Sequence, residues 1–525
     1  MLIAMLVLPA AAEEFINGWP MPGPVLPGES EGPFTRLVIE GGMLVDGSGA
    51  PPMGPVTIVV EQDRIARIYG LPGLYTPQLG DSGRPEIGTG DRHIDARGSY
   101  ILPGLIESHF RVLDRSVTPD AGNQSRHSDP PPEYTLKLLV AHGVTTVASM
   151  QSTHQFDWVN ALKKAAAENR ITAPGVLAWM DFPVSSPEDA RAKVRDAKKR
   201  GADGLGEGDM EGDLDSMLAG IDEARKVGLR TYFCMHPNIT GRMNMLQFAR
   251  AGLGGMPHAW GLPDSFLESG TVRDYPAAYN YNDDTIKMHT GRGWQATVAP
   301  GSEKWNAVID ELVSLDFTYG PTFSVFEAHR DLMAAMGAEW NHDFAWPAYL
   351  KTWAPGGSDG VQFADWSTAK EILWKQDYQR WMAWVNDFKN RGGRVIAGSD
   401  AGYMWTLPGF ALVRNLELLQ EAGFHPLEVI RAATRDSAVW LGIADRTGTV
   451  EVGKQADLLI VDGNPLENFK LLYGTGVVGR RLDGSVGRVG GVRYTIRNGV
   501  VFDAQAVLAG VKRMVEENRA AGAAE

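Results

Sequence analysis

The stretch ILPGLIESHFR, residues 101–111, is a short apolar run that ends in a histidine and an arginine. Seven more short apolar runs follow it, and helical patterns separate most of them. The candidate strands are 101–106, 144–150, 174–179, 203–207, 230–236, 253–259, 316–324 and 394–400. Strands that alternate with helices are typical of βα units around a parallel sheet. Eight such units over roughly 300 residues predict an α/β fold, a closed (β/α)8 TIM-like barrel.

Short strands of alternating pattern flank this region on both sides, for example at 37–47 and 56–60 before it and at 456–462 and 492–501 after it. We expect them to pair as a small composite β-sandwich domain built from N- and C-terminal segments, with the barrel inserted between its halves. The expected segments are a possible signal peptide remnant at 1–12, an extended arm at 13–34, sandwich strands at 35–100, the barrel at 101–445, further sandwich strands at 446–505 and a C-terminal helix or tail at 506–525.

The composition is that of a globular protein, with 44% hydrophobic and 22% charged residues. The net charge of −14 and the lack of a long Lys/Arg run argue against nucleic acid and membrane surfaces as partners. A small-molecule substrate is the expected partner, and association into a homo-oligomer is compatible with the pattern. Cys234 is the single cysteine, so neither an intrachain disulfide nor a multi-cysteine zinc site can form.

Residues 1–12 form a short apolar run that ends in small residues, as before a signal-peptidase site. The run lacks a basic start and is too short to span a bilayer. It favours a periplasmic or secreted protein. An apolar N-terminal arm on a cytoplasmic protein is the alternative.

The insertion at about 328–386 is rich in aromatic residues and precedes the last predicted strand. One interpretation is a lid over the barrel mouth. The other is that the rings fill the core of a helical hairpin, which is the commoner fate of aromatic side chains.

Several predicted strands end in a side chain that can bind a metal ion. These residues are His109, Glu207, His236, His258 and Asp400. Strand ends meet at one mouth of a barrel, so five such residues at five ends are hard to explain as structural. Imidazole and carboxylate are suitable ligands for a zinc-like ion, and a carboxylate can also accept a proton from water.

Five segments resemble the amidohydrolase superfamily, within its imidazolonepropionase and prolidase-like branch. Residues 102–109 resemble its first strand, 144–147 its second and 398–402 its last. Residues 448–458 and 462–465 are similar to its C-terminal stretch, which is the most specific part because it is long and collinear. The resemblance implies a metal-dependent hydrolase on a (β/α)8 barrel with a composite β-sandwich.

The chain departs from the pattern of this superfamily at two points. The first strand of the superfamily normally ends His-x-His, but here Arg111 holds the second position. A guanidinium has no lone pair to offer a metal. The lysine that often bridges two metals is missing from the fourth strand, which leads to Glu207. One divalent ion, with zinc favoured, is therefore expected rather than a bridged pair.

Three arrangements of the site remain open. In the first, Glu207, His236 and His258 hold one ion and Asp400 is the base. This is similar to the N-acetylglucosamine-6-phosphate deacetylases of the superfamily. In the second, His109, His236, His258 and Asp400 hold the ion, nearer the arrangement of the deaminases. In the third, the metal site is lost.

The expected reaction is hydrolysis of an amide or cyclic amide C–N bond in a small molecule. Asp400 would pass a proton from water to the leaving nitrogen, and Arg111 would either assist at the carbonyl oxygen or pair with a carboxylate. His154, Tyr403 and Trp405 follow strands and are expected to line the pocket. The alternatives are a non-hydrolytic lyase, acting by hydration, dehydration or decarboxylation, and a metal-free binding protein on the same barrel.

Overall fold

The structure is a computed structural model, and its described part has several gaps. It describes residues 15–70, 85–113, 130–151, 153–181, 185–206, 214–234, 242–267, 294, 297–354, 367–481 and 483–522. No described helix has both the length and the apolar character of a membrane span.

The N-terminal strands precede the barrel. They are β1 Phe15–Ile16, β2 Trp19–Pro20, β3 Ser30–Glu31, β4 Arg36–Leu44, β5 Met53–Glu61, β6 Arg64–Tyr69, β7 Arg92–Asp95 and β8 Ser99–Pro103. Ile39 and Ile58 are fully buried and belong to a separate apolar core between these strands and the C-terminal ones.

The barrel strands follow and are all parallel to their neighbours. They are β9 Leu105–Phe110, β10 Val144–Gln151, β11 Gly175–Met180, β12 Gly204–Gly206, β13 Arg230–Tyr232, β14 Gly255–Pro257, β15 Thr318–Gly320 and β16 Arg394–Val395. They form one eight-stranded sheet in chain order from β9 to β16. The TIM-like α/β fold expected from the sequence is thus confirmed.

Two backbone hydrogen bonds join the edges of this sheet and close it. Ser108 N donates to Ala397 O at 3.0 Å, and Asp400 N donates to His109 O at 2.9 Å. Gly398 lies at this seam, where an added Cβ would come within 2.7 Å of the His109 Cβ and 2.9 Å of its backbone nitrogen. The seam therefore requires a glycine.

Five strands of the described residues follow the barrel; three of them join the sheet of the N-terminal strands, and the two at 477–480 and 486–489 pair only with each other. The five strands are β17 Leu458–Asp462, β18 Val477–Arg480, β19 Val486–Val489, β20 Gly491–Arg497 and β21 Val500–Asp503. The nine-stranded sheet has the order β3-β21-β20-β17-β8-β4-β5-β6, with β7 beside β4. The predicted first barrel strand, 101–106, is corrected here: residues 101–103 belong to β8 of this sheet, and the barrel strand begins at Leu105.

The helices lie mostly between barrel strands. They are α1 Pro132–Ala141, α2 Phe156–Ala167, α3 Pro187–Arg200, α4 Leu214–Val227, α5 Met245–Arg250, α6 Glu303–Ser314, α7 Phe323–Arg330, α8 Leu332–Met336, α9 Trp340–Phe344, α10 Pro347–Trp353, α11 Thr368–Asn390, α12 Phe410–Glu421, α13 Pro426–Arg431, α14 Ser437–Leu441 and α15 Ala504–Gly522. Short 3-10 turns occupy Thr153–Gln155, Pro263–Ser265 and Phe469–Leu472, and a π-helical turn occupies Ala432–Asp436. In helix α3 the sequence explains both ends. The Ser186 side chain caps the start, and Gly201, at φ 84°, ends the helix.

The aromatic insertion is mainly part of the core. Trp346 and Tyr349 pack against Tyr134 of α1, while Trp381 and Trp384 are buried in α11. Trp366 lies outside the described residues.

His142, buried at the end of α1, makes the stability of the protein depend on pH. Burial lowers its pKa to about 4, from 6.5, while Nδ1 lies 2.7 Å from Leu138 O. Its folded-state pKa is depressed, so stability is complete above 6.5 and is lost as the pH falls toward 4. We expect a loss of about 2 kcal/mol in the free energy of unfolding at pH 5.

Urea unfolding at pH 7.5 and pH 5 measures this contribution. The difference in the free energy of unfolding between pH 7.5 and pH 5 should be smaller in His142→Gln than in the wild type. The exposed His342→Gln is the control and should show the same difference as the wild type. An unchanged difference in His142→Gln would contradict the assignment.

Candidate metal and active site

Three predicted ligands meet at the closing seam of the barrel. His109 is the penultimate residue of β9 and is fully buried, His258 follows β14 and Asp400 follows β16. His109 Nε2 lies 3.5 Å from Asp400 Oδ1, and His258 Nε2 lies 3.5 Å from Asp400 Oδ2. The two imidazole rings meet edge to face with centroids 5.1 Å apart.

This group fits a single divalent ion. One ligand atom from each of His109, His258 and Asp400 lies within 4.8 Å of the other two. With ligand bonds of about 2.1 Å, the donor atoms of a tetrahedral zinc site stand roughly 3.4 Å apart. The observed 3.5 Å separations between histidine nitrogen and carboxylate oxygen match that spacing.

Thr322 sets which nitrogen of His258 faces the site. Its Oγ1 lies 2.5 Å from His258 Nδ1 and also donates to Pro321 O at 2.8 Å. Because the hydroxyl proton goes to Pro321, Nδ1 must be the donor to Thr322. The lone pair is then on Nε2, the atom that faces Asp400.

Backbone strain is concentrated at the same place. His258, Thr322 and Asp400 have φ values of 63°, 47° and 51°. Side chains with a Cβ rarely adopt this region, and a β-branched threonine least of all. Strained residues of this kind cluster at functional sites, where the surrounding fold holds them in place.

Glu107 connects the two strand segments that carry His109 and Asp400. Its Oε1 accepts from Ser399 N at 2.8 Å and from His109 N at 3.3 Å, and its Oε2 accepts from the Ser399 hydroxyl at 2.5 Å. Complete burial raises the pKa of the Glu107 carboxyl to about 8.

Arg111 forms an ion pair with Asp400, one of the three candidate ligands. Its Nη1 donates to Asp400 Oδ1 at 3.1 Å, and both side chains are about one-sixth exposed or less. Of the carboxylates that sequence left open as partners, the structure selects Asp400. The fixed positive charge of the guanidinium opposes a second cation beside the first.

The other predicted residues are placed differently. Glu207 and His236 lie outside the described residues. His154 is exposed in the 3-10 turn after β10, and Tyr403 is half-buried after Asp400. The Trp405 indole donates to Trp353 O at 3.1 Å, and the residue lines a cavity of about 530 Å³ beside α7 and α12.

Sequence reasoning missed Thr322 and the linking role of Glu107. An acidic residue inside an apolar strand, two positions before His109 and so on the same face, is a signal for Glu107. Thr322 has no such signal, because its role depends on a rare backbone conformation.

Thr322→Val should weaken zinc binding by about 10- to 100-fold, because His258 loses the partner that fixes its tautomer and ring orientation. A competitive chelator titration measures this. Thr495→Val is the matched control, since it removes another buried hydroxyl, bonded to Val140 O at 2.6 Å in the other sheet. Equal affinity in the wild type and Thr322→Val would contradict the assignment.

Comparison with known proteins agrees with this architecture. Residues 382–481 match the family model described as the amidohydrolase family. An imidazolonepropionase from Thermoplasma acidophilum is 41% identical over 51 residues, which is 10% of this chain and 12% of the length of that enzyme.

Solved structures share the fold at low sequence identity. A Xaa-Pro dipeptidase with bound methionine in the active site has a TM-score of 0.58 and 16% identity, covering 89% of this chain and 100% of that one. A bottromycin amidohydrolase has a TM-score of 0.60 and 15% identity, covering 91% of each chain. Residues 382–481 are thus similar in sequence to the amidohydrolase family, and the chain shares its fold with the solved structures over about nine-tenths of its length.

Proposed function

We propose that this protein hydrolyses an amide or cyclic amide C–N bond in a small molecule and that it uses one divalent ion, zinc by ligand chemistry. The observation that carries the proposal is the meeting of His109, His258 and Asp400 at a separation suited to one ion. Glu207 and His236 belong to the proposed ligand set by sequence position alone. The amidohydrolase-family match over 382–481 supports the hydrolase class.

Each residue has a defined part in the proposed reaction. His109 and His258 would hold the ion through Nε2, and the ion would supply Lewis-acid polarisation of the carbonyl and activation of water. Asp400 takes a proton from the water as its oxygen bonds to the carbonyl carbon. Asp400 then returns that proton to the nitrogen as the C–N bond breaks. Arg111 orients Asp400 and donates to the carbonyl oxygen as negative charge develops there.

The remaining parts of the proposal concern the surroundings. His154 and Tyr403 are proposed substrate contacts on sequence position, and Trp405 is proposed to act from the pocket that it lines. We also propose export to the periplasm or medium, from the apolar residues 1–12 that lie outside the described part.

Metal content of the purified protein, measured by mass spectrometry after zinc supply, tests the site. We expect about one equivalent in the wild type and in the exposed-histidine control His342→Gln. The metal content of His109→Gln and of His258→Gln should be well below one equivalent. Near-zero metal in the wild type would overturn the mononuclear site.

Arg111→Gln should bind zinc about 10-fold more tightly, because a fixed positive charge leaves the site. The same change should lower kcat for amide hydrolysis by about 100-fold, because an oxyanion donor is lost. Chelator competition and steady-state kinetics measure the two effects. Arg394→Gln, which removes an arginine paired with Asp316, is the control that should change neither. Weaker zinc binding in Arg111→Gln would count against the repulsion argument.

A non-hydrolytic lyase that works without a metal, or a metal-free binding protein, is the second candidate, and the Arg111–Asp400 pair favours it, because the guanidinium already neutralises the carboxylate. Reaction in ¹⁸O-labelled water separates the candidates. Hydrolysis places one labelled oxygen in the acid product, whereas a lyase that breaks the bond by elimination places none there.

A further inference from the structure

A narrow cavity of about 20 Å³ lies beside His258, between the barrel and helix α11. We call it the aromatic slot, and its rings are those of Trp260, Trp294, Phe326, Trp374, Tyr378 and Trp381. One carboxylate, that of Asp377, also lines it and is only 4% exposed. Aromatic side chains and a buried acid therefore line the same small space.

Ring contacts and hydrogen bonds connect the slot to the proposed metal site. The Phe326 ring lies between them, with its centroid 5.4 Å from that of His258 and 5.9 Å from that of Trp260. On the other side, Trp381 Nε1 donates to the Tyr319 hydroxyl at 2.7 Å, and Tyr319 donates to His258 O. The Phe326 ring thus contacts His258 and also lines the slot.

The size of the slot limits its occupant. A space of roughly 10–15 Å³ is the least that admits one water molecule, so this slot admits one group of that size. A primary ammonium is of water size, whereas a quaternary ammonium is several times larger. The occupant is therefore the narrow end of a molecule.

The chemistry of the walls selects among small groups. Aromatic faces carry negative partial charge and attract cations, most strongly where water is excluded. Asp377 adds an acidic group that can pair with a cation; it has other contacts in the fold, and a ligand would join them. An anion is repelled by both features, and a methyl group gains nothing from the carboxylate.

We propose that the aromatic slot is a specificity subsite for a primary ammonium at the end of the substrate. This inference rests on the proposed function, since it makes the substrate an amide with a terminal ammonium. The amide lies at His109, His258 and Asp400, and the ammonium lies beyond Phe326 in the slot.

Binding of methylammonium chloride to the full-length protein, followed by tryptophan fluorescence against equal ionic strength of sodium chloride, tests the slot directly. We expect saturable binding of methylammonium but not of tetramethylammonium or methanol. Asp377→Asn should weaken it by about 10-fold or more. Asp331→Asn, an acid outside the slot, is the control. Unchanged binding in Asp377→Asn, or equal binding of tetramethylammonium, would overturn the proposal.

A pair of substrates separates this inference from the hydrolase function. The 4-nitroanilides of 6-aminohexanoic and heptanoic acids have the same length and differ in the terminal ammonium. We expect at least about 10-fold higher kcat/KM for the amino compound, lost in Asp377→Asn and in Trp374→Leu, which serves if the first variant fails to fold. Equal hydrolysis of both compounds overturns the subsite and leaves the hydrolase. Asp377-dependent methylammonium binding without hydrolysis of any amide keeps the subsite and overturns the hydrolase.

Discussion

Asp400→Asn should lower kcat for amide hydrolysis by about 1,000-fold, the largest effect on activity that we expect from one substitution. Asparagine is nearly the same size, and its oxygen can still accept from Arg111, as Asp400 Oδ1 does at 3.1 Å. It cannot take a proton from water. The loss should therefore appear in kcat while the fold is kept.

Two measurements accompany the kinetics of Asp400→Asn. Metal content separates loss of the base from loss of a ligand, because Asp400 lies 3.5 Å from both histidines and can serve in both roles. Asp436→Asn is the control for removing a half-buried acid that pairs with an arginine, since Asp436 lies in the π-helical turn and pairs with Arg431. Full turnover in Asp400→Asn would refute its role in proton transfer.

Gly398→Ala should be the most destabilising of the substitutions considered, with a loss of about 3 kcal/mol in the free energy of unfolding. The added Cβ would meet the His109 Cβ at 2.7 Å and the His109 nitrogen at 2.9 Å. These are backbone-level contacts, so β9 and the 396–400 segment must move apart. That movement breaks the two closing hydrogen bonds and separates His109 from Asp400.

Urea unfolding and zinc titration together measure this effect. Gly175→Ala is the matched control, because Gly175 is also in a barrel strand but its added Cβ would have only an ordinary 3.4 Å contact with Thr145 O. Gly398→Ala should lose both stability and zinc affinity, while Gly175→Ala should keep zinc affinity. Normal zinc binding in a folded Gly398→Ala would show that the seam does not position the site.

The barrel was predictable because the alternation of apolar runs and helices repeats along the chain, whereas the register around Gly104 was not. Residues 101–106 read as one strand, yet Pro103 ends a strand of the other sheet and Leu105 begins the barrel. An added Cβ on Gly104 would collide with the Thr145 side chain, so the chain passes very close to β10 there. The residues on both sides of Gly104 are apolar and buried, so the apolar pattern of the sequence cannot show where one strand ends and the next begins.

The positions of site residues were predictable where the end of a strand places the side chain. They were not predictable where the conformation of a loop places it. His109, His258 and Asp400 were expected together, and the structure brings them together. Trp405 was predicted to line the pocket because it follows Asp400, and this stays a prediction. Met404 and Trp405 both have positive φ, at 45° and 64°, which turns the indole toward Trp353. Methionine and tryptophan rarely adopt positive φ, so these two residues give no local sequence signal of this backbone conformation.

The nine-stranded sheet has a consequence for the synthesis of the chain. Strand β8 pairs with β4 on one side and with β17 on the other, and β17 is made only after the entire barrel. The emerging chain therefore carries an open strand edge on its ribosome for most of its translation, and open edges invite pairing with other chains. Expression at lower temperature or with chaperones should raise the yield of native protein, and truncation before Leu458 should yield aggregates.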